Sequence, residues 1–426
     1  MMEMTKSLSQ KTKKHIYVIS ATSVLCFLMI WQFFWSDNSS LRFNPYLFWP
    51  LMAAASLIAV ASRKVKISLY SKMIIFSLVW CSVSSLFSPS WISGIAFLLE
   101  ILLYFIAVKL FTNKGIEFTK IAYGFCIAHM FLLLLQVFAP FVFYFFVGLI
   151  SGSSKVALLK ENAGNGIFYG FTGQTSTIAF YLVFGLIISL YNFAKGKKLN
   201  YFFLLFGILF EISLLLTNRR GGTLISLAVI AFFVFLDKRK LSLKISLAIV
   251  IALVLMAIGL DRIPGFKGIV EKFQITSERN NSLSGRTQFW DYCIETFKAK
   301  PIFGSGFYSF SQNTQFEVET AHNSYLQKMA EIGIVGTMVF FVPHIYTLFI
   351  SFRMFFSNKE NSNEKKYMLL MILLQLSFLL FAIFEGVFET PILFVFIFLI
   401  EYAVVDKYKA FKKKGFLYEN SCVNCR

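Results

Sequence analysis

Four basic side chains lie where apolar stretches begin or end, and their types could do chemistry together. Arg219 and Arg220 are adjacent in the stretch "NRRGG", between two apolar runs. Arg286 and His322 each begin a stretch in which apolar residues recur at helical spacing. Arginine binds phosphate oxygens through a rigid fork of N–H groups, and a neutral histidine accepts a proton from a hydroxyl. These residue types suit transfer of a group from a phosphate or diphosphate donor.

The composition predicts a membrane protein with many spans. The chain has 426 residues, of which 57% are hydrophobic and only 15% are charged, and its mean hydropathy is +0.68. Soluble domains are about a quarter charged. The formal charge of +19 does not indicate a nucleic-acid partner, because the lysines lie at the ends of apolar runs, as they do in membrane proteins.

The apolar runs predict an all-α fold with about 12 transmembrane helices. Each backbone in lipid must satisfy its own hydrogen bonds, so an apolar run of this kind is expected to be helical. The runs are 16–35, 46–61, 69–87, 91–110, 121–149, 176–193, 201–217, 223–236, 245–260, 334–352, 368–384 and 390–405.

Lysine and arginine are distributed unevenly between the two sets of connecting segments. If the N-terminus is cytoplasmic, 28 of the 41 lie on the cytoplasmic side and 13 on the other. The positive-inside rule favours this orientation. An even number of spans then returns the C-terminus to the cytoplasm, and "NRRGG" faces outward.

This topology divides the chain into four regions. Residues 1–260 hold the first nine spans, and residues 261–333 form a large external loop with amphipathic helices and candidate motifs. Residues 334–405 hold the last three spans, and 406–426 form a basic cytoplasmic tail. The other long external segment, 150–175, is expected to be an ordered loop.

Two interpretations of "NRRGG" are open. The arginines could be charges that snorkel at a helix end. Alternatively, they could bind an anion at the outer membrane–water boundary. This would explain why two arginines lie on the external side, where the positive-inside rule disfavours them. Gly221 and Gly222 would let a backbone or a phosphate approach closely.

The large loop contains one amphipathic helix. Ser284 is a candidate N-cap, and Pro301 ends the pattern. This helix is expected on the membrane surface or on the bundle. Arg286 lies in its first turn, where the helix dipole disfavours a cation, so the position is either incidental or part of an anion site. The apolar face is formed by Phe289, Tyr292, Cys293, Thr296 and Phe297.

His322 is one of four histidines and is expected to open a helix. Tyr325, Leu326 and Met329 would share a face of that helix. The positive end of a helix dipole favours the neutral imidazole, which can accept a proton. The alternative is a surface histidine that caps the helix.

The sequence also indicates what the chemistry does not use. It contains no D-x-D pair to hold a divalent metal on a nucleotide-sugar, no H-E-x-x-H zinc motif and no cytoplasmic phosphate-binding loop. Neither a metal nor a cofactor is therefore expected. An outward anion site at headgroup depth instead suits a lipid-linked diphosphate, from which glycosyl transfer by a single in-line attack would invert the anomeric carbon.

Three stretches resemble the bacterial O-antigen ligase and O-antigen polymerase superfamily. They are "NRRGGTLISLAVIAFF", "SGRTQFWDYCIETFKAKPIFGSGF" and "AHNSYLQKMAEIGIVGT", and they stand in the order found in that family. The last is similar to the family pattern of His-Asn, nine residues and Gly-x-x-Gly-Thr. It runs through His322, Asn323, Gly333, Gly336 and Thr337.

The resemblance implies a glycosyltransferase in the bacterial inner membrane, with its active site facing the periplasm. Arg219 or Arg220 would contact the diphosphate, and the Arg-Gly pattern favours Arg220. Arg286 would assist, and His322 would act as base or position the acceptor. Gly221 and Asn323 would contact the diphosphate or glycan.

The implied donor is an undecaprenyl-diphosphate-linked oligosaccharide in the lipid bilayer, but the acceptor is open. A polymerase joins repeat units and is the favoured interpretation, whereas a ligase transfers the glycan to lipid A-core. A chain-length regulator is a further candidate partner. A flippase for lipid-linked glycans is the competing class, but no inverted repeat supports it, and a large external loop is unnecessary for transport.

Overall fold

The computed structural model describes residues 67–112, 118–172, 174–195, 200–236, 286–310, 320–358 and 363–423, together with residues 54 and 58. Within these ranges the chain forms α-helices and one short 3-10 helix, Val387–Glu389, and no strand. The predicted all-α class is therefore confirmed for the part of the chain described. The helices are α1 Leu69–Ser85, α2 Trp91–Thr112, α3 Phe118–Phe138, α4 Pro140–Gly164, α5 Thr175–Lys195, α6 Tyr201–Leu216, α7 Arg220–Leu236, α8 Arg286–Ala299, α9 Ser324–Ser357, α10 Asn363–Phe384 and α11 Leu393–Val423.

Five of these helices, α2, α3, α5, α9 and α10, are long and apolar enough to cross a membrane. Shorter apolar helices lie at α1, α6, α7 and the first part of α4. The chain is thus a multi-pass membrane protein by the length and composition of its helices. The predicted spans at 16–35 and 245–260 lie outside the described residues, as does 46–61 apart from residues 54 and 58.

One predicted span, 121–149, is in fact two helices. Helix α3 ends at Phe138, Ala139 leaves the helical conformation, and Pro140 begins α4. Proline lacks a backbone N–H and disfavours helical geometry in the residue before it, so the break is local in origin. Helix α4 bends at Gly152 and continues to Gly164. The expectation of a loop over 150–175 is therefore wrong for its first part, which is helical.

Helix α5 is the centre of the bundle. It packs against α3, α6, α7 and α10. In its most apolar stretch, 89% of the residues are buried. An apolar helix can face either lipid or other helices, and α5 faces other helices on nearly all sides. The ring of Phe180 meets those of Phe378 and Phe396 with centroids 5.5 and 5.8 Å apart.

Segments that were predicted to face the same side lie together. At one end of the bundle, Lys366 Nζ donates to the carbonyl of Lys195, 3.1 Å away. At the other end, the backbone N–H of Phe307 donates to Ser84 Oγ at 3.2 Å. The first pair joins two segments predicted to be cytoplasmic, and the second joins the predicted external loop 261–333 to the outer end of the predicted span 69–87.

The segment 301–306 docks into a break in α9 at Gly333. Gly333 has φ 64° and ψ −176°, so the helix cannot satisfy its own hydrogen bonds there. The N–H of Gly306 donates to the carbonyl of Glu331 at 2.8 Å, and the N–H of Ile334 donates to that of Pro301 at 2.8 Å. This docking joins the end of α8 to the start of α9 and so positions both elements.

Replacing Gly333 by Ala should destabilise the protein. A Cβ at this position would overlap the carbonyl of Ile302, and the positive φ alone costs a non-glycine residue about 1–3 kcal/mol. We expect a lower thermal unfolding midpoint in detergent. Gly124→Ala in α3 is the matched control, because a Cβ there meets nothing within 4 Å. Equal midpoints for the two variants would contradict the docking.

Candidate active site

One carboxylate gathers three basic side chains from different parts of the chain. Glu385 lies in the turn between α10 and the 3-10 helix, and its side chain is 7% exposed. Arg219 Nη1 and Arg286 Nη2 lie 3.4 and 3.5 Å from its Oε1. His322 Nδ1 lies 3.3 Å from its Oε2. Three of the four predicted basic residues are therefore brought to one point.

Arg219 reaches Glu385 from the tight turn between α6 and α7. Asn218 has φ 55°, which reverses the chain after α6, and Arg219 N–H donates to Thr217 Oγ1 at 3.3 Å. Burial lowers the pKa of Arg219 and Glu385 opposes this effect, but a guanidinium stays protonated in proteins. Its Nε is buried and has no hydrogen-bond partner among the residues described. Arg219 thus retains a donor for an incoming anion.

Arg286 lies in the first described turn of α8, in agreement with the sequence prediction. Its Nη1 donates to the carbonyl of Phe384 at 2.7 Å, beside Glu385. Phe289 and Cys293 on the apolar face of α8 are buried, and they pack with Phe310 and Ala330. The amphipathic helix therefore lies on the bundle, which decides between the two locations left open. The predicted N-cap, Ser284, lies outside the described residues.

His322 lies before α9 and does not begin it, which corrects the prediction. Asn323 is the N-cap, its side chain accepting from Leu326 N–H at 3.0 Å, and the helix starts at Ser324. His322 itself has φ 53°, a conformation that is uncommon outside glycine. The residue before it, Ala321, is held by hydrogen bonds at both its carbonyl and its N–H. Trp290 Nε1 donates to the carbonyl of Ala321 at 3.0 Å. Gln327 Oε1 accepts from the Ala321 N–H at 2.9 Å.

The charges around Glu385 keep it ionised. Burial raises the pKa of its carboxyl, but the hydrogen bond from His322 and the charges of Arg219 and Arg286 outweigh burial, so the net pKa is lowered. An ionised carboxylate can only accept hydrogen bonds. Its contact with His322 therefore places a proton on Nδ1 and leaves Nε2 as the acceptor in a neutral imidazole.

The remaining predicted residues lie around this cluster. Arg220 is the first residue of α7 and is half-buried. A Cβ on Gly221 would come within 3.3 Å of Phe384 Cβ, and one on Gly222 within 3.1 Å of Ala179 Cβ. Both glycines therefore allow close packing of α7. Contacts of Arg220, Gly221 and Asn323 with a substrate stay predictions.

The sequence analysis missed Glu385. The signal that could have found it is the short turn "EGVFE" at 385–389, which joins the last two predicted spans and faces the same side as "NRRGG". Two glutamates in so short a turn are conspicuous where acidic residues are scarce. Nothing in a single sequence, however, pairs that turn with arginines more than 90 residues away.

Comparison with known proteins shows a family match over the region that contains the three basic residues of this cluster. Residues 201–341 match a family model described as O-antigen ligase. The match runs from α6 into α9 and includes Arg219, Arg286 and His322. The resemblance predicted from the sequence motifs is therefore confirmed over these residues.

A curated protein of Haemophilus influenzae, described as "Uncharacterized protein", is also similar. It is 25% identical over 187 residues, which cover 38% of this chain and 47% of that protein. The chain thus spans about half the length of this relative. The similarity shows a sequence relationship to that protein and assigns no activity.

Replacing Glu385 by Gln should reduce stability in a way that depends on pH. The folded pKa of Glu385 lies below the ordinary value of 4.5, so its stabilisation is fully present above about pH 4.5 and is lost as pH falls through the folded pKa. We expect wild type to unfold at a higher temperature than the variant near pH 7, and the difference to shrink on acidification below about pH 4.5. Thermal scans in detergent measure this.

The matched control is Glu364→Gln at the exposed start of α10. It should leave the unfolding midpoint nearly unchanged, because exposed charges contribute little. A Glu385→Gln variant that is as stable as wild type near pH 7 would contradict the organising role of Glu385.

Proposed function

We propose that this chain is a membrane glycosyltransferase that uses a polyprenyl-diphosphate-linked glycan as donor. The observation that carries the proposal is the convergence of Arg219, Arg286 and His322 on Glu385. The three basic residues lie within the region that matches the O-antigen ligase family, and Glu385 lies beyond its end. Two cationic side chains beside an imidazole are suited to an anionic leaving group and a hydroxyl acceptor.

Arg219 and Arg286 bind the diphosphate. Their contacts with Glu385, at 3.4 and 3.5 Å, are longer than the roughly 2.7–2.9 Å of a strong charge-assisted hydrogen bond. The unpartnered Nε of Arg219 adds a donor. The long contacts leave these guanidinium groups with donors that can reach phosphate oxygens, and the two groups stabilise the charge that develops as the diphosphate leaves.

His322 is the base. Its Nε2 takes the proton of the acceptor hydroxyl as the acceptor oxygen bonds to the anomeric carbon and the carbon–diphosphate bond breaks. Glu385 holds the Nδ1–H at 3.3 Å and stabilises the imidazolium that forms. A single displacement of this kind inverts the anomeric carbon. Every step uses only protein groups, so we propose a reaction without metal or cofactor.

The proposed setting is the bacterial inner membrane. The donor carrier is undecaprenyl diphosphate, and the cluster faces the periplasm, as the distribution of lysine and arginine favours. The four-region division of the chain, with 261–333 as the external loop, belongs to the same proposal. The apolar helices support bilayer residence.

The acceptor distinguishes a polymerase, which we favour as in the sequence interpretation, from a ligase. The description of the matched family names ligase activity, so transfer to lipid A-core is the second candidate. A chain-length regulator is a candidate partner of a polymerase. A flippase has no need of a base held by a carboxylate, so the cluster argues against transport.

Arg219→Ala should reduce transfer about 100- to 1,000-fold, the usual loss when one donor to a developing anion is removed. The sequence pattern favours Arg220 as the diphosphate contact, whereas the geometry favours Arg219, because Arg219 shares Glu385 with His322 and Arg286. Arg220→Ala is therefore the matched comparison. Full activity in both single variants and in the double variant would refute the anion site.

Purified protein with a polyprenyl-diphosphate-linked repeat unit, and no lipid A-core, should produce a ladder of chain lengths on a gel. His322→Ala should produce no ladder, because the acceptor hydroxyl then lacks its base. Product formed only after lipid A-core is added would identify a ligase. The absence of product under both conditions would contradict glycosyl transfer.

A further inference from the structure

A second charged cluster is buried directly behind Glu385. Lys328 and Glu331 belong to the first turns of α9, and Glu389 ends the 3-10 helix. Their side chains are 1%, 0% and 3% exposed. Two carboxyl groups therefore share one ammonium group out of contact with water. Burying an excess charge is costly, so the cluster is most stable when one carboxyl carries a proton.

The hydrogen bonds distinguish the two carboxyl groups. Glu331 accepts at both oxygens, from Gln327 Nε2 at 3.1 Å and from Lys328 Nζ at 2.9 Å. Glu389 Oε1 lies 3.1 Å from Lys328 Nζ, an ion-pair contact that is poorly aligned for a hydrogen bond, and no other described residue donates to this oxygen. Acceptance at both oxygens is expected of an ionised carboxylate. Glu331 is therefore the charged partner of Lys328.

Ser324 locates the remaining proton. Its Oγ is within hydrogen-bonding distance of Glu389 Oε2 and lies 3.2 Å from the carbonyl oxygen of Glu385. It also accepts from Phe388 N–H at 3.3 Å. A hydroxyl has one hydrogen and cannot donate to both oxygens. An ionised Glu389 would accept the Ser324 hydrogen and leave the contact with the Glu385 carbonyl without a donor. If Glu389 is protonated and donates to Ser324, then Ser324 can donate to the Glu385 carbonyl, and all three contacts become full hydrogen bonds.

We propose that Glu389 is a neutral carboxylic acid that donates from Oε2 to Ser324 Oγ and thereby positions Glu385 for the reaction. This inference rests on the proposed glycosyl transfer for its catalytic consequence. Glu389 touches no reacting atom, so it is a positioning residue. The chain from Glu389 through Ser324 fixes the backbone that carries the Glu385 carboxylate and the Phe384 carbonyl that holds Arg286.

The electrostatic surroundings agree with this arrangement. Burial raises the pKa of Glu389, the charge of Lys328 lowers it, and the repulsion of Glu331 raises it. The net effect is a raised pKa. The thiol of Cys293 on α8 also faces this cluster, and its own pKa is raised by burial and by Glu331 and Glu389. A raised pKa in the folded state makes the contribution of Glu389 present at low pH and lost as pH rises through that pKa.

The test compares Glu389→Ala with Glu389→Gln in transfer assays across pH. Alanine removes the donor to Ser324, and we expect kcat to fall at least 10-fold with a smaller change in KM for the donor. Glutamine copies the shape and the donor of a neutral acid, so it should restore most of the lost kcat. It should also retain activity at alkaline pH where wild type loses it. A glutamine variant no better than alanine would overturn the proposal.

Glu331→Gln is the matched control for the assignment of charge. It makes the same chemical change but removes the ionised partner of Lys328, so it should lower the unfolding midpoint more than Glu389→Gln does. The reverse order of the two midpoints would overturn the assignment.

Infrared spectroscopy of the protein without substrate separates this proposal from the proposed function. Wild type should show protonated carboxylic C=O absorption, of which Glu389→Gln loses one band and the exposed-site variant Glu364→Gln loses none. If wild type shows this band but transfers no glycan, the proposed glycosyl transfer is wrong and the assignment of Glu389 as a neutral acid stands. If wild type transfers glycan but lacks the band, the assignment of Glu389 is wrong and the proposed glycosyl transfer stands.

Discussion

The attraction of three basic groups to one carboxylate organises the functional end of this protein. Arg219, Arg286 and His322 come from segments far apart in the chain, and each is held where it is by contact with Glu385 or its neighbour Phe384. Without the carboxylate, two guanidinium groups would repel each other in a partly buried space. With it, they lie side by side, as the proposed diphosphate site requires, and the imidazole is fixed in one tautomer.

The fold provides the rigidity that this arrangement needs. Helix α5 anchors the bundle, and the break of α9 at Gly333 is closed by the segment 301–306, which fixes α8 against α9. Behind Glu385, the buried chain of Glu389 and Ser324 supports the same turn. The site is therefore supported from two directions, by backbone docking on one side and by a buried polar cluster on the other. A base and its orienting carboxylate need such support to stay aligned.

The sequence predicted much of this because its signals are local. Apolar runs marked the helices, the spacing of Phe289 and Cys293 marked α8, and basic residues at helix ends marked the site. Other features depend on contacts between distant segments and could not be read locally. Glu385 and the choice between Arg219 and Arg220 are of this kind, since only the turn that follows α6 decides which guanidinium points at the carboxylate. Pro140 is a local signal for the helix break, but the apolar run continues through it, so the sequence prediction gave one span.

The most direct measurement of the central claim is an electron cryomicroscopy structure of the full chain in a lipid nanodisc with a polyprenyl diphosphate bound. The account predicts diphosphate density within hydrogen-bonding distance of the guanidinium groups of Arg219 and Arg286, with His322 Nε2 facing the oxygen that carries the sugar in the donor. Diphosphate bound elsewhere, with both arginines still on Glu385, would contradict it.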